Sequence, residues 1–292
     1  MEQIAAFRDK PLDFGPGEEM RYSNSGYLVL GHVIEKVTGG SYSQFLRDHI
    51  FTPLGMTDSG YDSNSTVIPR RASGYTPSPG GPVNAGYLHM SIPHAAGALY
   101  STTEDLLKWQ QGLFGGKVIS AAALARMTTP VKNDYAFGLV VRTVQGRKVV
   151  AHGGGIDGFN TSLSYYPDTR AVVVVLANIN GPLADLLGSQ LGALVHGDRI
   201  TLPSERTEIS VPAATLQKYT GTYQLSPTTV ITIALDGNQL TAQMTGQPGN
   251  PIVPESDTRF FLKIVDAQIE FAADASYLVL HQNGRELKAT RK

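Results

Sequence analysis

The chain has 292 residues, which on a scale of roughly 100 to 200 residues per domain allows one large domain or two unequal ones. Its 24 Lys and Arg against 25 Asp and Glu leave a formal charge of −1, so no excess of positive charge draws it to a phosphate backbone and no nucleic-acid partner is expected. With 41% apolar and 17% charged residues it has the composition of a folded, loop-rich globular protein, and the absence of cysteine excludes disulfides, thiolate metal sites and thiol nucleophiles. The longest strongly apolar run, Ala171 to Ala177, is far short of the roughly 18 residues that read as a membrane span. Met1 to Lys10 lacks the apolar stretch and cleavage site of a signal peptide.

In chain order, Leu28, Val29, Leu30, Val33, Ile34 and Val37 follow Tyr22-Ser23-Asn24 at helical spacing and predict a buried helix that starts polar and ends at Gly39-Gly40. Ser41 to Phe51 predicts a second helix, with Phe45, Leu46 and Ile50 on one side, stopped by Pro53 and Gly55. Asp58 to Pro93 has little periodicity and is long for a connection, which suits the wall or lid of a pocket. Ser101 and Glu104 read as a capping box ahead of Leu106, Leu107, Trp109 and Leu113. After a helix around Ala121 to Met127, strands are predicted over Tyr135 to Val144, Lys148 to His152, Leu163 to Tyr166 and Ala171 to Asn178, joined by short turns into an antiparallel sheet. Pro182 to Val195 is predicted to be a helix that packs Leu183, Leu186, Leu187, Leu191 and Leu194 against that sheet.

The first domain is expected over residues 1–198 and a linker over 199–211, where Leu202 to Pro212 holds two prolines among polar residues. Residues 212–292 read as a small all-β barrel. Its predicted strands are Gly221 to Gln224, Val230 to Leu235, Gln239 to Met244, Arg259 to Ile264, Ile269 to Ala272 and Tyr277 to Gln282, with turns at Asp236-Gly237 and Asn283-Gly284.

Gly153-Gly154-Gly155-Ile156-Asp157-Gly158 satisfies the G-x-G-x-x-G pattern after a strand, but Phe159 to Val175 reads as two further strands, and a dinucleotide site needs a helix there. The seven histidines, at 32, 49, 89, 94, 152, 196 and 281, show no close ligand spacing, so no metal and no cofactor is expected. His32 reads as a satisfied core or interface group. His152 differs, because it closes a strand and opens the glycine run. Glycines at 153, 154 and 155 either bare one strand face for a ligand backbone or make a bulge or tight turn. Tyr22-Ser23-Asn24, taken alone, is an N-cap.

Taken together, Pro11-Leu12-Asp13-Phe14 through Pro16-Gly17, Tyr22-Ser23-Asn24-Ser25-Gly26-Tyr27, Gly31-His32-Val33-Ile34-Glu35, Pro53-Leu54-Gly55-Met56-Thr57-Asp58, Ala96-Gly97-Ala98-Leu99-Tyr100-Ser101-Thr102 and His152-Gly153-Gly154 resemble the serine β-lactamase-related family. That family includes class C β-lactamases, D-alanyl-D-alanine carboxypeptidases and esterases. The resemblance covers about residues 1 to 198, and the C-terminal residues are similar to the lipocalin-like barrel that some members carry. It implies an α+β fold, an antiparallel sheet with packed helices, plus the small barrel. It also implies acyl transfer on a small-molecule or peptide substrate, with Tyr22 as general base and acid, His152 as electrostatic partner, Asn24 as substrate ligand, and Gly154 and Gly155 along the substrate. The Gly155 N–H would be half of an oxyanion hole. Family members often act outside the cytoplasm.

The family's nucleophile is a serine with lysine one helical turn later, and no serine of this chain has lysine three residues on. Thr129-Pro130-Val131-Lys132 is the nearest mimic and follows the tyrosine motif, where the family's nucleophile precedes it. The expectation is therefore a truncated member, inactive alone in the usual serine chemistry. The alternatives are a non-catalytic acyl-peptide binding protein, or a hydrolase completed by a partner or by self-association over an apolar groove and an unpaired strand edge.

Overall fold

A computed structural model describes residues 2–200, 205–282 and 285–292. The expected Asn283-Gly284 turn and residues 201–204 of the expected linker lie outside them. The chain divides into two compact units, Met1–Gly192 and Ala193–Lys292. Among the described residues no helix is long and apolar enough to cross a membrane.

The first unit opens with α1 (Glu2–Ala5) and α2 (Asn24–Thr38). Ser23 caps α2: its backbone is extended and its Oγ accepts the Gly26 N–H at 3.2 Å. Gly39, at φ 71°, ends the helix in the left-handed region. Then come α3 (Tyr42–Leu46), a π-helical turn (Arg47–Phe51) and α4 (Thr52–Leu54). Pro53 sits within α4 near its start, where no N–H is needed, so the stop falls to Gly55 alone. Short pairs follow: β1 (Gly60–Tyr61) with β4 (Leu99–Tyr100), and β2 (Tyr75–Thr76) with β3 (Val83–Asn84). A 3₁₀ turn lies at His94–Ala96. Helix α5 (Thr103–Phe114) is capped by Thr102, whose Oγ1 accepts the Asp105 N–H, one residue later than the expected Ser101 cap. Ser120 caps α6 (Ala121–Met127).

The central sheet has the order β5 (Val140–Val144), β6 (Arg147–Ile156), β7 (Phe159–Tyr166) and β8 (Ala171–Ala177), all antiparallel. One face packs Val141, Val150 and Leu139 with Phe114 and Met127 of the helices, and Phe114 stacks on Tyr165 at 3.8 Å. The other buries Val149, Tyr166 and Val173. The glycine run is regular strand, paired without register shift from His152↔Leu163 to Ile156↔Phe159, so the bulge reading is set aside.

Two helices differ from expectation in what they bury. In α7 (Leu183–Val195) the buried residues are Ala184, Gly188 and Gly192, spaced four apart. A Cβ at Gly188 would stand 2.6 Å from Ser162 Oγ, and one at Gly192 would stand 2.0 Å from Tyr166 Oη. The helix lies so close to the sheet that only small residues fit beneath it. Leu183, Leu187, Leu191 and Leu194 are 37–48% exposed and do not pack on the sheet as expected. In α2 only Gly31 is buried, while Val29, Leu30, Val33 and Val37 face outward, so the helix read as buried has an open apolar side.

The second unit starts with α8 (Ala213–Tyr219) and continues as eight antiparallel strands: β9 (Gly221–Ser226), β10 (Thr229–Asp236), β11 (Gln239–Met244), β12 (Asn250–Pro254), β13 (Arg259–Phe261), β14 (Ala267–Phe271), β15 (Tyr277–Gln282) and β16 (Arg285–Arg291). They close into a barrel in which β9 pairs with both β10 and β16. Tyr223, Leu240, Ile252, Phe260, Leu278 and Ala289 fill it and are almost wholly buried. Tyr219 of α8 stacks on Phe271 at 4.3 Å. Eight strands leave an interior that side chains can fill, and here they fill it.

Candidate active site

Tyr22 stands one residue before the cap of α2, half-exposed, and Asn24 occupies the exposed first turn. The tyrosine ring lies 6.2 Å, centroid to centroid, from the ring of His152 on β6. The structure thus brings together two residues that are 130 positions apart in sequence.

A third ring completes the group and was not expected from the sequence. Tyr135 lies edge-on to both, 6.2 Å from Tyr22 and 6.0 Å from His152, and its Oη is 2.9 Å from His152 Nε2. Burial, then the charge and hydrogen bonding of Tyr27 and the charge of Tyr22, push the Tyr135 hydroxyl far above the usual phenol range. Tyr135 therefore keeps its proton at neutral pH and donates it to Nε2. His152 Nδ1 in turn donates to the Gly153 carbonyl at 2.6 Å, which assigns one tautomer to the neutral ring. Tyr27 reaches the group because Gly138, at φ 74°, has no Cβ; one would stand 2.9 Å from the Tyr27 hydroxyl. The only sequence signal for Tyr135 was its place at the head of a predicted strand.

Beyond His152 the strand edge opens. β5 pairs with β6 only as far as Val140↔Ala151, whereas β7 pairs with it to Ile156. Gly153, Gly154 and Gly155 are exposed, so one backbone edge of β6 faces away from β7 with no side chains in the way. At the middle glycine a side chain would crowd the neighbouring strand: a Cβ at Gly154 would be 2.5 Å from Thr161 Oγ1. At the end of this hairpin Phe159 joins Arg71, Ala72, Ser73, Gly74 and Asn84 around a cleft of about 390 Å³. The aperiodic Asp58 to Pro93 segment is thus a wall, anchored by the Arg71–Asp62 bidentate ion pair at 2.8 and 2.7 Å.

Lys132, the nearest mimic of a nucleophile's lysine, has another occupation. Its Nζ donates to the Gly17 carbonyl at 2.7 Å and to the Glu18 carbonyl, while the Thr129 hydroxyl donates to Ala125 O.

The group can move a proton between phenol, imidazole and a ligand held on the β6 edge, and it offers backbone N–H groups to an acyl oxygen. Comparison with known proteins gives the family and the fold. Residues 2–196 match the family described as Beta-lactamase, and residues 205–281 match a domain of unknown function (DUF3471). Penicillin-binding protein 4* of Bacillus subtilis (strain 168) is 28% identical over 95% of this chain and 68% of its own length. The octameric penicillin-binding protein homologue from Pyrococcus abyssi superposes with a TM-score of 0.63, at 24% identity, over 99% of this chain and 69% of that one. The D-amino acid amidase from Ochrobactrum anthropi SV3 has a TM-score of 0.53 at 28% identity, over 60% of this chain and 54% of that one. The chain thus spans between half and just over two thirds of these three proteins.

Proposed function

The chain belongs to the beta-lactamase family, and from that premise we propose that its first unit is the acid–base and substrate-holding part of an acyl-transfer site. Tyr22 passes the proton, His152, held by Tyr135, provides the polar partner, and Asn24 with the Gly154–Gly155 edge holds the amide of the substrate. The substrate class is a peptide or amide ending in a D-amino acid, a β-lactam or a simple ester; the D-amino acid amidase relative favours the first and the penicillin-binding relative the second. The cluster of Tyr22, Tyr135 and His152 beside an open glycine edge carries this reading.

The covalent step is not made by these 292 residues alone, because acyl transfer through a serine needs a base beside it and no Ser-x-x-Lys is present. Intact mass before and after a fluorophosphonate probe tests this. No adduct on folded chain is expected; an adduct on one serine overturns it.

The open edge supports a second reading, in which the chain holds acyl peptides without cleaving them. Calorimetry with an acyl-D-alanyl-D-alanine peptide should then give binding that Asn24→Ala weakens. No heat with either protein removes this reading.

A further inference from the structure

Away from the tyrosine cluster, α2 and the His94–Ala96 turn meet at contact distance. A Cβ at Gly31 would stand 2.4 Å from Ala95 Cβ and 3.1 Å from His94 Nε2, so glycine is required there. Three metal-binding side chains converge on this contact. His32 and Glu35, three apart, share one face of α2, and His94 comes from the turn; one ligand atom from each lies within 4.8 Å of the others.

The hydrogen bonding of the two imidazoles is half complete in the same way. His32 Nδ1 is bonded to Glu35 Oε2 at 3.1 Å and His94 Nδ1 to Tyr61 Oη at 3.1 Å, yet both Nε2 atoms are buried with no hydrogen-bond partner. The other Glu35 oxygen accepts the Tyr42 N–H at 3.0 Å and lies 3.9 Å from His94 Nε2. Most buried polar atoms in folded proteins are paired, and of the seven unpaired buried side-chain atoms among the described residues these two lie on neighbouring rings, with centroids 5.1 Å apart. His94 also sits at φ 40°, a conformation that a residue with a Cβ rarely adopts.

An imidazole that ligates a metal through one nitrogen donates its other N–H to a carboxylate or another oxygen, which fixes the ring and its tautomer. His94 has that second contact, to Tyr61, and lacks the first, whereas the contact of His32 is to Glu35 itself, so Glu35 would turn from that nitrogen to the ion as the site closes. We propose that His32, His94 and Glu35 bind one divalent transition-metal ion that prefers imidazole nitrogen, zinc foremost, which pins α2 to the His94–Ala96 turn. Two nitrogen donors with one carboxylate suit zinc, copper or nickel and not calcium or magnesium. Zinc–ligand bonds of about 2.0 Å put tetrahedral ligands about 3.3 Å apart, so small side-chain rotations close the site. Tyr61, bonded to His94, also lines a cleft of about 370 Å³ with Asp62, His89 and Met90. His32 lies eight residues beyond Asn24, about 12 Å along the helix, so the ion would steady α2 without touching substrate.

Metal content after zinc loading and removal of free ion should show one equivalent, and titration against a chromophoric chelator should give its affinity. Cobalt in its place should give the visible bands of a four-coordinate ion. His94→Gln and His32→Gln should each weaken binding by about 100-fold or more, while His49→Ala leaves it unchanged. If one variant does not fold by circular dichroism, the other carries the test. Equal zinc affinity in wild type and both variants, or no cobalt bands in wild type, overturns the proposal.

Discussion

Between Gly221 and Arg291 eight strands close a ring and turn Tyr223, Phe260 and Leu278 into its interior. The sheet from Val140 to Ala177 instead stays open, with β5 and β8 as its edge strands, and the helices α2 and α7 carry valine and leucine outward. Each barrel strand is paired on both sides, and most of the barrel's large apolar side chains are buried in one core. In the first unit the buried residues fall into three small clusters, and the residues of the tyrosine cluster stand among half-covered surfaces. The comparison separates two features that one chain keeps in different places: a closed core in the barrel, and an open edge and apolar faces in the unit that holds the candidate site.

The sharpest test of the closed side is Phe260→Ala, which empties a wholly buried ring packed edge-on against Tyr219 and Phe271 and should cost the barrel about 4 kcal/mol. Amide hydrogen exchange of β13 and β14 reads it, and a loss below about 1 kcal/mol would mean that the interior repacks freely. In the first unit the firmest point is Asp105, 1% exposed, which accepts from the Asp58 N–H, the Ser59 hydroxyl and Lys108 at 2.7–2.8 Å. Asp105→Ala strands those donors and should cost about 3 kcal/mol, seen as a lower unfolding midpoint in the fluorescence of Trp109, the only tryptophan.

The same carboxylate predicts an acid limb. Burial works to raise its pKa, but Lys108, Ser59 and the Asp58 N–H outweigh burial and hold it below the ordinary 3.8. Its contribution is therefore complete above that value and lost as pH falls through the lower folded value. The variant should lose less stability than wild type between pH 5 and pH 2, a window set by about these carboxylate values; equal losses would assign the acid limb to other groups.

Tyr135→Phe removes one hydrogen bond to His152 and should cost about 1 kcal/mol. Nitrogen-15 shifts of the His152 ring should then show mixed tautomers; an unchanged single tautomer would mean that the Gly153 carbonyl suffices. The smallest effect is expected on the open side, where Leu187→Ser and Leu191→Ser should each change stability by less than about 0.5 kcal/mol. A larger loss would show that α7 is covered in solution.

Much of the molecule was legible because local signals agreed with the fold: the Ser23 cap, the Gly39 stop, the hairpins of the central sheet and the alternating barrel strands. What failed has particular causes. In α7 the leucines were assigned to the sheet because apolar size usually marks the buried face, but Gly188 and Gly192 win where backbone and sheet approach most closely. Strand β12 was missed because Pro251 and Pro254 bracket it. Strand β16 was missed because Arg285-Glu286-Leu287-Lys288-Ala289-Thr290-Arg291 reads as polar although Ala289 points into the barrel. Tyr135 and the grouping of His32, Glu35 and His94 depend on contacts between distant segments, which no local spacing records.

Strand β8 reads Ala-Val-Val-Val-Val-Leu-Ala, without charge, proline or glycine, and among the described residues its outer edge has no strand partner in the sheet. Such a segment is a template on which identical segments stack in register. In concentrated or ageing solutions this protein should therefore be lost first as thioflavin-positive fibrils seeded at β8, with the barrel still folded inside them. One lysine in place of Leu176, which is already partly exposed, should act as a gatekeeper and lengthen the lag before they form.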